Sequence, residues 1–295
     1  MGIGKASGSL GNITYRLVNG ETVASQKISK GTQKLGTLSQ VNRRIRIANL
    51  SAAYRALNNV NGGAGMYQSF PFRDRRQSNW NAFFRRNIGP YGNVYLTREQ
   101  AAMGTLIPAP FIVSEGSMGS LQPTLDTIEA GKPMIKNNGT FVFTALPGAT
   151  ATSTVADLST AFINQMGCQE GDTITVFGFN ATSSPDGSLV STNVRHFQFV
   201  VNTSDDENLL TDIGMSLQTE SSETYPGITL MGLHGAAMVI GRNTGAGYDV
   251  TTSQFKLTDA GMQMWNGHNT DSVRLEAAAS YGYKQDPYLQ NGNPL

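Results

Sequence analysis

The sequence predicts an α+β protein: an N-terminal arm with a β-hairpin and short helices, followed by a β-rich, sandwich- or barrel-like domain with at least one helix. Two changes of hydrophobic period carry that prediction. Between residues 37 and 110 apolar side chains recur at helical spacing, and beyond 110 they fall into short β-branched or aromatic runs separated by turn residues. Composition agrees, with 33 Gly and only 15% charged residues. The expected divisions are an extended arm and hairpin at 1–36, a basic helical segment at 37–110, a β-rich domain at 111–284 and an extended tail at 285–295.

Residues 2–11 are so rich in Gly and Ser that ordering them costs much backbone entropy, and they are expected to be mobile unless held. A hairpin follows. Asn12 to Val18 reads as one strand, Asn19-Gly20 as a two-residue turn tolerant of positive φ, and Glu21 to Ile28 as the return. A lone two-stranded ribbon is marginal in water, so this one calls for a host surface. From Ser39, taken as the cap, a helix is expected to about Leu57. It has one stripe of Ile47, Leu50, Tyr54 and Leu57 and a second of Val41, Ile45, Ala48 and Ala52, which predicts packing on two sides. After the glycine-rich break at 61–65, Trp80, Phe83 and Phe84 mark a short helix ended by residues 87–92, and a third begins after Thr97.

Strands are expected at Phe111–Val113, Thr140–Thr144, Thr173–Phe179, Val194–Val201, Ile228–Leu233, Ala236–Gly241 and Tyr248–Leu257. Turn chemistry separates several of them, as at 137–139 and 184–187. One helix interrupts the series: a Ser153 or Thr154 cap, Asp157 in its first turn, Leu158, Phe162, Ile163 and Met166 on one face, and Gly167 as its stop.

Charge is divided along the chain. The first hundred residues hold fifteen Lys and Arg against three acidic residues, a formal +12; the remaining 195 hold seven against eighteen, or −11. The total of +1 thus hides two poles that attract each other, another copy, or a polyanion. One cysteine, Cys168, rules out an intrachain disulfide and a multi-cysteine metal site. No basic segment followed by an apolar run opens the sequence, and no stretch nears eighteen uninterrupted apolar residues, so neither a signal peptide nor a membrane span is expected.

Motifs for chemistry are weak. Gly4-Lys5 lacks the Ser or Thr of a phosphate loop, and Met118 stands where a nucleophile elbow needs Ser. His196, His234 and His268 show no metal-ligand spacing, and Cys168 has no basic partner in the sequence to activate it. Asp205-Asp206-Glu207 with Asp212 lacks the spacing of a calcium loop and reads as a solvated acidic turn. No catalytic residue, metal or cofactor is expected. The candidate contact residues are arginines: Arg43, Arg44 and Arg46 on the first long helix, where they oppose its dipole, and Arg73, Arg75, Arg76, Arg85 and Arg86 around Trp80, Phe83 and Phe84. They can meet a nucleic-acid backbone or the acidic part of a neighbouring chain.

The run from Gly4 to Tyr15, the hairpin continuing through Val23-Ala24-Ser25-Gln26-Lys27, and Thr37-Leu38-Ser39-Gln40-Val41-Asn42-Arg43-Arg44 resemble the N-terminal signature of virion structural proteins of crAss-like tailed bacteriophages of Bacteroidota hosts. The likeness covers about the first sixty residues. It implies a non-enzymatic virion component made in the cytoplasm of the host bacterium, with no ligand-binding residue carried over. Within that class the expectation is a ring or neck component of the head-to-tail connector, assembling with copies of itself. Its further partners would be the portal, adjacent connector or tail proteins, and packaged DNA. A capsid decoration or tail protein, or a nucleic-acid-binding protein using the basic third, are the alternatives.

Overall fold

The computed structural model describes residues 8–10, 13–18, 21–26, 37–58, 70–74, 76–183, 189–229, 233–245 and 247–283, with backbone alone at 10, 181–183, 189–192 and 233. The chain is α+β. Its first element is a three-stranded antiparallel ribbon of β1 (Gly8–Leu10), β2 (Ile13–Val18) and β3 (Glu21–Gln26), in the order β1-β2-β3. The pairing of Val18 with Glu21 leaves two residues for the loop, the length that Asn19-Gly20 predicts, although those residues lie outside the described ones. The arm differs from expectation in part, because Gly8–Leu10 pairs against Ile13–Tyr15 as a third strand.

Helix α1 (Leu38–Asn58) has its cap two residues before the expected Ser39. Thr37 takes that role: its Oγ1 accepts from Gln40 N at 3.4 Å while the Gln40 side chain accepts from Thr37 N at 3.2 Å. The two-sided packing of α1 is present. Helix α2 (Asn79–Asn87) is capped by Ser78, and α3 (Arg98–Ala102) by Thr97 in a full capping box with Gln100. Two buried asparagines join these helices to the extended segment after them. Asn49 exchanges both amide bonds with Ile107, at 2.8 and 3.1 Å, and Asn87 does the same with Ile112, at 2.8 and 3.0 Å. Each side chain thus imitates one rung of a β-ladder.

The following segment runs through β4 (Ile112–Ser114), β5 (Ser120–Leu121), β6 (Thr124–Leu125), β7 (Met134–Ile135) and β8 (Thr140–Val142) to α4 (Val155–Met166). Helix α4 has the expected Thr154 cap and ends on Gly167, whose φ of 67° is the left-handed conformation glycine adopts without strain. Then come β9 (Thr173–Ser183), β10 (Leu189–Val200), β11 (Ser216–Glu220), β12 (Glu223–Thr229), β13 (Leu233–Asn243), β14 (Tyr248–Val250), β15 (Thr252–Gln254) and β16 (Lys256–Leu257). The strand expected at 228–233 instead covers Glu223–Thr229, where it forms a hairpin with β11. The turn at 184–187 lies outside the described residues. Two helices close the fold, α5 (Asp259–Gly267) and α6 (Asp271–Ser280), in a region where the sequence suggested none.

A central sheet, ordered β10-β9-β13-β14 with β16 also on β13, organises this body. Alternation places Ile174, Val176, Met238, Ile240 and Phe199 on one face, where they pack with α4 and with Ile135, Phe141 and Ile228 of the sheet β11-β12-β8-β7-β6. On the other face, Phe177, Phe179, Ala237 and Val239 pack with Leu50, Ala53 and Leu57 of α1, with Phe83 of α2, and with Phe111 and Phe255. This second cluster draws residues from both sides of position 110. The central sheet is therefore buried on both faces, sandwiched between a β-layer and a helical layer. Helix α6 returns to the opposite side of α1, where Val41, Ile45, Tyr95, Ala277 and Ala278 form a separate cluster. Helix α5 lies close to β13 because Gly261 has no side chain: a Cβ there would sit 1.8 Å from the His234 carbonyl oxygen. Among the described residues no helix is long and apolar enough to cross a membrane.

Candidate interaction surfaces

Every described side chain of the ribbon has some exposure, and none joins any of the hydrophobic clusters of the body. Register puts Ile13, Tyr15 and Leu17 on one face and Arg16, Val18 and Val23 on the other. Ile13 is 43% exposed, Leu17 45%, Val18 50% and Val23 43%. A soluble domain ordinarily covers such residues when it has a core to put them in. Three strands with apolar side chains on both faces, and no hydrophobic cluster of the described residues against either, have the composition of an inserted element without its host.

The eight arginines singled out in the sequence do not form one group. Arg46 is half-buried and structural: its guanidinium donates to the carbonyls of Ile88 and of Gly92, the latter at 3.2 Å, and ties α1 to the end of α2. Arg73 likewise closes its own loop, donating to Gln77 O and Phe70 O, both at 3.0 Å. Arg86 is held by Glu115 through two contacts of 2.6 and 2.5 Å. Arg43 and Arg44 project from the first half of α1, whose first turn holds no acidic residue, and both are exposed. Arg76 and Arg85 are exposed too, and Arg85 has no hydrogen-bond or ion-pair partner among the described residues. Arg75 lies outside the described residues.

Phe70, Phe72, Arg73, Arg85, Arg86 and Glu115 are among the walls of a cleft of about 330 Å³ between the 70–77 loop and α2. Phe72, 67% exposed, stands at its edge. Sequence reasoning placed the arginines and aromatics together but missed Phe72 and the Glu115 tether. The aromatics divide: Phe83 is fully buried in the core, while Tyr54, Trp80 and Phe84 form a series, Tyr54–Trp80 edge to face with centroids 5.2 Å apart and Trp80–Phe84 tilted at 5.5 Å. Burial pushes the Tyr54 hydroxyl above its ordinary pKa, against the opposing charge of Arg73.

An acidic loop, residues 203–212, lies across the central sheet from that cleft. The 203–212 loop is stitched to the start of α4 by Val155 N donating to Asn208 O at 3.0 Å and Ala156 N to Asp205 O at 3.1 Å. Thr203 N and Oγ1 donate to Glu170, and Asp205 and Asp212 accept from Asn208 and Leu209. Asp206 and Glu207 remain exposed with no hydrogen-bond or ion-pair partner among the described residues. Five ion pairs form among the described residues, and only Arg86–Glu115 joins the basic first hundred residues to the acidic remainder. Among the described residues a single ion pair thus links the two charge poles.

One charged group is buried. Asp172 accepts from Arg242 at 2.9 and 2.7 Å and from Gln169 N at 2.8 Å, tying the turn after α4 to β13. Beside it, Cys168 has its thiol pushed up to about 12, by burial first and by the Asp172 charge second, against the opposing effect of Arg242. A thiol with that pKa is protonated at neutral pH and is a poor nucleophile. His268 faces the Met264 carbonyl at the end of α5, and no group of three or more His, Cys, Asp or Glu is placed to hold a metal ion among the described residues. In comparisons with protein-family models, curated proteins and solved structures, the chain has no match.

Proposed function

We propose that this chain is a non-enzymatic structural protein of a bacteriophage virion, a ring or neck component of the head-to-tail connector that assembles through contacts between copies. The observation that carries the proposal is the ribbon Gly8–Gln26, which exposes Ile13, Leu17, Val18 and Val23 and shares no cluster with the body. An isolated sheet of this size is stabilised by burying such side chains elsewhere, and a neighbouring subunit is the surface that a repeating assembly provides. The resemblance of the segment from Gly4 to Arg44 to phage virion proteins points the same way, as does the separation of charge into +12 and −11 parts.

Native mass spectrometry of the purified full chain is the direct test. A closed set of copies of the 31.6 kDa chain is expected for the wild type, falling to single chains when Ile13→Asp and Leu17→Asp place two carboxylates on one ribbon face. A wild-type chain that stays a single copy up to its solubility limit sinks the proposal.

A further inference from the structure

The cleft between the 70–77 loop and α2 and the loop 203–212 lie on opposite faces of one sheet, and their charges are opposite. Phe70, Ala82 and Phe83 belong to the cluster on one side of β9 and β13; Val155, Leu158 and Leu210 belong to the cluster on the other. From this placement we infer that the cleft, whose wall holds Arg73, Arg85 and Arg86 against Asp74 and Glu115, receives the acidic 203–212 loop of a second copy, so that copies stack head to tail through Arg85 in the cleft and Arg76 of the adjoining loop on one and Asp206 and Glu207 on the next. The inference rests on the assembly reading above and specifies its contact.

Three features of the cleft favour this occupant. Arg85 lines it without a hydrogen-bond or ion-pair partner among the described residues, whereas the other two guanidinium groups in its wall are already fixed in position, Arg73 by carbonyls and Arg86 by Glu115; Asp74 is the wall's second carboxylate. A wall with preset guanidinium geometry and one free arginine suits a carboxylate, which accepts two parallel N–H bonds. Phe72 supplies an exposed apolar edge at the rim, the kind of anchor an interface covers. On the other copy, Asp206 and Glu207 have no hydrogen-bond or ion-pair partner among the described residues to give up.

The geometry also limits the symmetry. A two-fold contact requires each patch to face its complement on the partner at the same time, which patches on opposite faces of a sheet cannot do. The contact is therefore heterologous, and repeated heterologous contacts close into a ring or continue as a filament. Phosphate groups of DNA would also satisfy Arg76 and Arg85, but they leave Asp206 and Glu207 unused.

The test is a charge exchange on the full chain. Arg76→Glu with Arg85→Glu in one variant, and Asp206→Arg with Glu207→Arg in another, are all at exposed positions, and circular dichroism melts check that both variants remain folded. Each alone is expected to associate at least tenfold more weakly than wild type in sedimentation experiments at low salt. An equimolar mixture is expected to recover association, since each altered patch then faces a complementary altered patch on the other variant. Association of both single variants as in wild type, or a mixture that stays dissociated, overturns the inference. Loss of binding to duplex DNA in the arginine variant, with its assembly intact, overturns it in favour of a nucleic-acid surface. Should the Ile13→Asp/Leu17→Asp protein dissociate while both charge variants assemble, the assembly reading survives and only this contact falls.

Discussion

The ribbon of residues 8–26 and the central sheet of residues 173–250 are both antiparallel, and both alternate their side chains across two faces, yet they differ in what the faces meet. In the central sheet each face has a covering layer, so Phe177 and Phe179 point into one cluster while Ile174 and Val176 point into another. In the ribbon, Ile13 and Leu17 on one side and Val18 and Val23 on the other remain open. The same local pattern therefore yields a core in one region and an unfilled half-interface in the other. What decides between them is the amount of chain that returns to cover the sheet: the body has two further layers, and the ribbon has none among the described residues.

The most direct way to break that comparison is to delete a large apolar side chain from each region. Phe143 sits among Phe141, Phe162, Phe197 and Phe199, with ring centroids 5.2 to 6.4 Å away, and is 1% exposed. Phe143→Ala should cost about 4 kcal/mol in urea unfolding, since it removes the ring and leaves a cavity that its neighbours cannot fill. Leu17→Ala, measured on dissociated chains, should stay within about 0.5 kcal/mol of wild type. If Leu17→Ala instead destabilises the dissociated chain by an amount near that of Phe143→Ala, the ribbon is packed in solution and the contrast is false.

The helical layer supplies a sharper case, because its attachment depends on a polar side chain. Asn87 accepts from Ile112 N and donates to Ile112 O and to Phe83 O from a fully buried position. Asn87→Leu keeps the branched shape but leaves the Ile112 amide and carbonyl without their partner. A loss of about 2 kcal/mol is expected, and hydrogen exchange at the Ile112 amide should speed up at the same time. An unchanged exchange rate would show that α2 is held on the sheet by its apolar contacts alone.

These attachments explain why the sequence was more readable in some places than in others. Helix α4 announced itself because its signals are local: Thr154 and Asp157 at one end, Gly167 at the other, and Leu158 and Phe162 between them. The first and second helices were legible for the same reason, with only the cap of α1 misplaced from Thr37 to Ser39. Helices α5 and α6 also carry Thr258-Asp259 and Thr270-Asp271 at their starts, a cap followed by an acidic residue. Helix α6, with Val273 and Leu275 as its large apolar residues, lacks a strong apolar stripe, whereas α5 carries Met262 and Trp265 at i, i+3 and was open to the same reading as α4. Two-residue strands such as Ser120–Leu121, Thr124–Leu125 and Met134–Ile135 are too short for any period to register.

The candidate surface was less readable, for a physical reason. Sequence could place Arg73, Arg85 and Arg86 near aromatic residues and Arg46 on the first long helix, but not which guanidinium group would find an acceptor. That depends on chain segments brought in from elsewhere: Gly92 for Arg46, and Glu115 for Arg86. Arg85 and Arg76 stand out as available only after those partners are known. Nor could spacing along the chain reveal that the acidic loop and the basic cleft fall on opposite sides of one sheet.

A smaller effect separates the buried centre of the body from its rim. Asp249, next to the central sheet's edge, accepts from Ser117 N at 2.9 Å, from Ser117 Oγ, and from Val250 N at 2.7 Å. Burial raises its pKa, but these hydrogen bonds and the charge of Arg242 outweigh burial and leave it below the ordinary aspartate value. Because the folded pKa is the lower one, the stabilisation is present above the unfolded value of about 3.9 and disappears as pH falls through the folded value. Thermal melts of wild type and Asp249→Asn should therefore differ at pH 7 and converge toward pH 3, with the wild type losing more on acidification. The shift should be modest, because the group lies near the surface and solvent screens it. A gap between the two proteins that stays constant across this range would mean that Asp249 acts through its shape and hydrogen-bond count, not through its charge. The rim of the body would then resemble its neutral core more than its polar surface.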